Sequence, residues 1–279
     1  MRVAASQYTQ VAVPPIPDDA YVMIIGAMKC GTTSLFEYLK AHPGICPAID
    51  KEPEYFSDNQ AHGVAVPYYQ HLWHFDAGRH RYAMEASTGY TKFPEEQDVP
   101  RKIHAYGIQP RFIYMVRDPF QRIESEYDFI QRLYPQERFD IESDLLLQKS
   151  NYYRQLERFR AFFPREHFLV LDFAEFTTDP RAVLMRVYDF LGLDQHYFPK
   201  RFKVRNPTQR KTGPLGRLKK RWSAFRKGAR QAKQRDFSPK ARVSLTAAQK
   251  AEIHSALAHD MQRFQQEYGI DVTKWGFTD

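Results

Sequence analysis

Cysteine is scarce: two residues in 279, Cys30 and Cys46. That pair builds no disulfide framework and no C-x-x-C metal knuckle, and the usage suits a reducing compartment. No apolar run is long enough to span a bilayer. Residues 1–20 contain Arg2 but no long apolar stretch, and Pro14, Pro15 and Pro17 interrupt them. They read as an extended arm and not as a signal peptide. A cytoplasmic location is expected on these grounds. Acidic residues are almost missing between Lys200 and Arg242, where seventeen Lys and Arg stand against one acid, Asp236. That stretch reads as an exposed basic face within the domain.

The remaining composition is that of a folded chain: 43% hydrophobic, 15% aromatic, net charge +8. One large core fits this length, and neither a linker nor an internal repeat divides residues 21–279. The basic surplus favours anionic partners. Apolar runs at Tyr21–Ile25, Arg81–Glu85, Arg111–Val116 and Phe168–Leu171 read as strands. Helical spacing is found over Thr32–Ala41, Phe120–Leu133, Pro180–Leu191 and Thr246–Tyr268. Alternation of the two predicts a single α/β domain with a central, mostly parallel sheet flanked by helices, of the P-loop nucleotide-fold kind.

The first strand runs into Gly26-Ala27-Met28-Lys29-Cys30-Gly31-Thr32-Thr33-Ser34. Glycines let backbone N–H groups close around an anion, and the positive end of the following helix points at the same place. Lys29 adds a full charge and Thr32, Thr33 and Ser34 add hydroxyls. An ATP or GTP loop requires G-x-x-x-x-G-K-[ST]. Here the glycines are spaced correctly, but Thr32 stands where the lysine belongs and Lys29 lies three positions earlier. A second anion site is read at the end of the third strand, where Arg117-Asp118-Pro119 is followed eight residues after the arginine by Ser125. A guanidinium fork matches phosphate oxygens.

The first loop resembles the 5′-phosphosulfate-binding loop of sulfotransferases that use 3′-phosphoadenosine 5′-phosphosulfate (PAPS). The second segment resembles the 3′-phosphate signature of the same family. The resemblance extends over most of the chain, through Ser150-Asn151-Tyr152-Tyr153-Arg154-Gln155-Leu156 and Phe190-Leu191-Gly192-Leu193. It implies PAPS as donor, 3′-phosphoadenosine 5′-phosphate (PAP) as product and no metal. It also implies roles for residues. Lys29 touches the bridging oxygen and aids the leaving group. Cys30, Gly31, Thr32, Thr33 and Ser34 hold the 5′-phosphate, and Arg117 and Ser125 hold the 3′-phosphate. Tyr152 either contacts the donor, lines the acceptor cleft or belongs to the core. Arg210 and Lys211 are the candidates for the basic loop over the nucleotide.

Asp50-Lys51-Glu52-Pro53-Glu54-Tyr55-Phe56 resembles the K-E-x-x-[FY]-F element of glycan-type (heparan-like) sulfotransferases, which implies that Glu52 is the base. Two departures stand out. Glu54 replaces the histidine of the heparan-type enzymes, and Ala86 replaces the lysine of their E-K-[ST]-P-x-Y element. Glu54, or one of His62, His71, His74 and His104, is the alternative base. The acceptor is expected to be an acidic glycan or a small molecule, with nucleic acid not expected. Two competing readings are a P-loop kinase, against which the shifted lysine argues, and a polyanion-binding module built on residues 200–242, where aromatics for base stacking are sparse.

Overall fold

The computed structural model describes residues 15–58, 66, 68–134, 140–199 and 243–278. Most of the expected arm, His62 and the basic segment with Arg210 and Lys211 lie outside the described residues.

Five strands form one sheet: β1 (Tyr21–Gly26), β2 (Ile45–Pro47), β3 (Tyr82–Ala86), β4 (Arg111–Val116) and β5 (Phe168–Asp172). Their order is β2-β3-β1-β4-β5 and every pair is parallel. β1 is buried along its whole length, as a strand covered on both faces must be, which is why it reads as an unbroken apolar run. β2 has only three residues, too few to carry a pattern.

The helices are α1 (Thr32–Leu39), α2 (Val99–Tyr106), α3 (Pro119–Leu133), α4 (Asp144–Gln148), α5 (Tyr152–Arg160), α6 (Phe173–Thr178), α7 (Pro180–Leu191) and α8 (Ala247–Tyr268). Local chemistry sets their ends. Asp118 caps α3 by accepting the N–H of Phe120 at 2.9 Å, with Pro119 in the first turn. Thr246 and Gln249 close a reciprocal capping box on α8. Gly192 stops α7 at φ 60°.

α5 is nine residues of mostly polar sequence, yet Tyr152, Gln155, Leu156 and Phe159 are buried along one side. Its N-terminus is capped from a distance. The Asp260 carboxylate on α8 accepts the N–H groups of Tyr153 and Arg154 at 3.0 and 2.9 Å.

The strand order positions the site. From β1 the chain moves to β2 and β3 on one side, then crosses to β4 and β5 on the other. Loops leaving the carboxyl ends of β1 and β4 therefore diverge and leave a crevice between them, where ligands of open α/β sheets bind.

Candidate active site

The loop after β1 is pinned at both ends. The Ala27 N–H reaches the Met115 carbonyl of β4 at 2.6 Å, and the Thr91 hydroxyl donates to the Ile25 carbonyl at 2.7 Å. Gly26 has φ +151°, and a Cβ there would meet the Thr91 hydroxyl at 2.1 Å, so only glycine fits. Gly31, at φ +87°, is the N-cap of α1 and lies against the Phe173 ring, 2.6 Å from where its Cβ would stand. The N–H groups of Gly31, Thr32 and Thr33 make no hydrogen bond among the described residues. A helix start leaves such donors open to an anion.

Lys29 occupies left-handed backbone, φ 69°. Its ammonium lies 4.4 Å from the centroid of the Phe129 ring. Burial, then the charges of Arg132 and Arg117, hold its pKa below the usual lysine range, with Glu126 pulling the other way. Phe129 is one helical turn beyond Ser125 on α3, so the loop lysine and Ser125 look onto the same stretch of that helix.

Arg117 begins where β4 ends. Its guanidinium takes the Gln121 side-chain oxygen at 2.8 and 3.2 Å and lies 5.2 Å from the Phe173 ring centroid. It does not pair with Asp118, which is occupied as the α3 cap. Ser125 makes no side-chain hydrogen bond among the described residues and is half-buried.

Glu52 is on the same edge of the sheet. Its N–H bonds the Ala86 carbonyl at 2.9 Å, and Ala86 is the β3 partner of Ile24 in β1. Its carboxylate accepts Lys51 at 2.5 Å and the Thr88 hydroxyl at 3.4 Å, and its side chain is 44% exposed. Glu54, by contrast, is buried, accepting the Gly89 N–H at 2.9 Å and the Ser57 hydroxyl. Burial raises its pKa. Of the two, Glu52 has the open carboxylate.

Two expected donor contacts have their side chains elsewhere. Cys30 is fully buried and its thiol turns inward to the Met28 carbonyl at 3.6 Å. Burial pushes it up to about 12, so it is an inert thiol. Tyr152 is also fully buried, and its hydroxyl donates to the Arg117 carbonyl at 2.6 Å. It is a core tyrosine that braces Arg117 from behind. His71, His74 and His104 have contacts of their own. His104 packs on Phe162 and Phe163, and Phe163 on Phe112 near the start of β4. The His74 backbone N–H donates to the Cys46 sulfur, and Cys46 is aligned through Ala83 with Tyr21, the first residue of β1. His71 packs on Tyr68.

Phe173 was missed in the sequence. It touches Gly31 and Arg117 together, so one aromatic ring lies between the two halves of the site. Beneath them, Arg122 is fully buried, donating to the Ser150 hydroxyl at 2.7 Å and pairing with Glu126, which also takes Lys149 at 3.0 Å. Burial works against the Glu126 charge, but Arg122 and Lys149 outweigh it and keep its pKa below the usual range. This network holds α3 against the segment leading into α5. Among the described residues, no group of three or more His, Cys, Asp or Glu is arranged to hold a metal, and no helix is long and apolar enough to cross a membrane.

A parallel sheet with a glycine-bounded anion loop at its central crevice, an arginine on the next strand end and no lysine at the Walker position defines a phosphate-handling α/β protein distinct from the NTPases. The chain belongs to the sulfotransferase domain family, whose model matches residues 19–265. It is 28% identical over 193 residues to human (Homo sapiens) heparan sulfate glucosamine 3-O-sulfotransferase 6, covering 63% of this chain and 54% of that protein. It is 30% identical over 202 residues to mouse (Mus musculus) heparan sulfate glucosamine 3-O-sulfotransferase 3B1, covering 63% and 48%. The chain thus spans about half the length of the curated relatives it matches. Its fold is similar to that of a sulfotransferase from Alicyclobacillus acidocaldarius, with a TM-score of 0.66 at 21% identity over 92% of this chain and 98% of that one.

Proposed function

We propose that this protein transfers the sulfuryl group of PAPS to a hydroxyl or amine and releases PAP. The observation that carries this reading is the crevice between β1 and β4. Lys29 and the open N–H groups at the start of α1 lie on one side of it, and Arg117 and Ser125 on the other. Two anion sites on the two lips of one crevice suit a nucleotide phosphorylated at both its 5′ and 3′ ends.

In this reading Lys29 neutralises charge growing on the bridging oxygen as the S–O bond breaks. Gly31, Thr32, Thr33 and Ser34 hold the 5′-phosphate. Arg117, braced by Tyr152, holds the 3′-phosphate with Ser125. Glu52 takes the proton of the acceptor, a contribution of roughly 10²–10⁴-fold. Phe173 offers an apolar face beside both phosphate sites.

The acceptor is proposed to be a carbohydrate, as the names of the curated relatives support, with small hydroxyl compounds as the second class. It differs from heparan sulfate in how it is held. Ala86 and Glu54, the two departures from the heparan-type elements, are an uncharged and an acidic residue, so neither supplies a cation to the cleft. Both cysteines are buried and unpaired, and the cytoplasm is the proposed location.

Thermal unfolding with PAP, ATP or adenosine 5′-phosphate, each without Mg²⁺, tests the donor, since a ligand bound only by the native state raises the midpoint. A shift with PAP alone is expected. A shift with ATP and Mg²⁺ but none with PAP would replace this reading with the kinase. Labelled PAPS offered with a panel of glycans and phenols then identifies the acceptor class.

A further inference from the structure

A buried carboxylate lies one residue from the end of β3, beneath the loop that carries Glu52. Glu85 is wholly inaccessible to solvent. Three hydroxyls donate to it: Tyr69 at 2.5 Å and Tyr90 at 2.9 Å to one oxygen, Ser87 at 2.6 Å to the other. Two of the three have a second partner. The Ser87 oxygen accepts the Glu54 N–H at 3.1 Å, and the Tyr90 oxygen accepts the Phe56 N–H at 3.4 Å.

An ionised carboxylate accepts and cannot donate. While Glu85 is ionised, all three hydroxyl protons must point at it, which leaves the lone pairs of Ser87 and Tyr90 facing the loop N–H groups. Protonated Glu85 becomes a donor itself. One hydroxyl must then turn to accept from it, directing its own proton away from Glu85. The loop needs such fastening, because Glu52 and Glu54 both occupy left-handed backbone, φ 63° and 50°. Non-glycine residues persist there only when their surroundings over-determine them.

We propose that Glu85 is the positioning residue of this site: through the Ser87 and Tyr90 hydroxyls its carboxylate fixes the loop from Glu52 to Phe56, and with it the direction of the Glu52 carboxylate. This rests on the assignment of Glu52 as the base. The groups that face Glu85 are Tyr69, Tyr90 and Ser87, with the charge of Glu54 acting across Ser87; the residue beside it on β1 is the uncharged Met23. Burial, opposed by the three hydroxyls, pushes Glu85 up to about 7, so both forms of the clamp are populated near neutrality.

The test is amide NMR on the full chain, comparing wild type with Glu85→Gln. In the wild type, the Glu54 and Phe56 amide resonances are expected to move together as pH passes through about 7. In Glu85→Gln that transition disappears, and both amides exchange with solvent at least about tenfold faster while those of β5 do not change. The affinity for PAP stays within about twofold, since the donor lip is not touched. A transition that persists in Glu85→Gln, or unchanged exchange at both amides, overturns the proposal. Should Glu85→Gln not fold, Ser87→Ala is expected to release only the Glu54 amide, Tyr90→Phe only the Phe56 amide, and Tyr69→Phe neither. Any other pattern overturns it equally. The sulfuryl-transfer reading fails on a separate measurement, the absence of PAP binding by the wild type.

Discussion

At the scale of single residues, the site divides its positive charges by task. Arg117 is bonded to Gln121 and braced by the Tyr152 hydroxyl, which in the proposed reading makes it a fixed receptor for phosphate. Lys29 rests over an aromatic ring, with burial and two arginines pressing on its charge. A group held in that way gains most when negative charge appears beside it, which in the proposed reaction happens as the sulfuryl group leaves. Lys29→Ala is therefore expected to lower turnover of PAPS by about 10²–10³-fold while weakening PAP by less than about tenfold. Equal losses in single-turnover rate and PAP affinity would make it a binding residue only. Glu85 gives a stability prediction whose sign is fixed. Its folded pKa, about 7, lies above the ordinary 4.5. Between these values the folded chain holds a proton that the unfolded chain has released. Stability from this group falls as pH rises through that window and levels off above it. Wild type should lose on the order of 2 kcal/mol relative to Glu85→Gln between pH 5 and 8, read from urea midpoints at the two pH values. A constant difference would place the Glu85 pKa near its unfolded value.

At the scale of elements, distant residues complete what local sequence begins. The Asp260 carboxylate caps α5 from more than a hundred residues away and so holds Tyr152 beneath Arg117. Asp260→Ala leaves two N–H groups at the α5 start without an acceptor. It should cost about 1–2 kcal/mol in urea unfolding and weaken PAP, because Arg117 loses its brace. Unchanged PAP affinity would separate the cap from the site. The same division explains what the sequence disclosed. β1, β4, α7 and the Gly26–Ser34 loop were legible because apolar runs, capping residues and paired glycines act within a few positions. α5 was legible only as a motif, since its apolar stripe is four buried residues amid charge. The inward turn of Cys30 follows from the backbone around Lys29 at φ 69°, which no side-chain pattern reports. Phe173 and Glu85 gain their meaning from partners brought by other strands. Phe173 meets Gly31 only because β5 and β1 flank β4, and the surroundings of Glu85 come from a turn, a loop and a short helix that converge on β3.

At the scale of the whole molecule, the net charge of +8 conceals a division. Residues 200–242 carry seventeen Lys and Arg and one acid, whereas the rest of the chain carries twenty-four against thirty-two. The basic character of the protein therefore belongs to one segment attached to an acidic remainder. Within the sulfuryl-transfer reading, that segment supplies the attraction for an anionic acceptor. Attraction of this kind acts over about 10 Å at 0.1 M salt and is screened above that. It acts mainly on association and leaves the chemical step alone. The apparent KM for an anionic glycan acceptor should then rise several-fold between about 20 and 200 mM NaCl, with kcat little changed. Replacing Lys219, Lys220 and Arg221 with Glu should flatten that dependence and raise KM at low salt, while the affinity for PAP, set in the crevice between β1 and β4, is expected to stay the same. A charge-reversed protein with the same KM and the same salt slope would assign the basic segment to solubility and leave acceptor capture to the cleft itself.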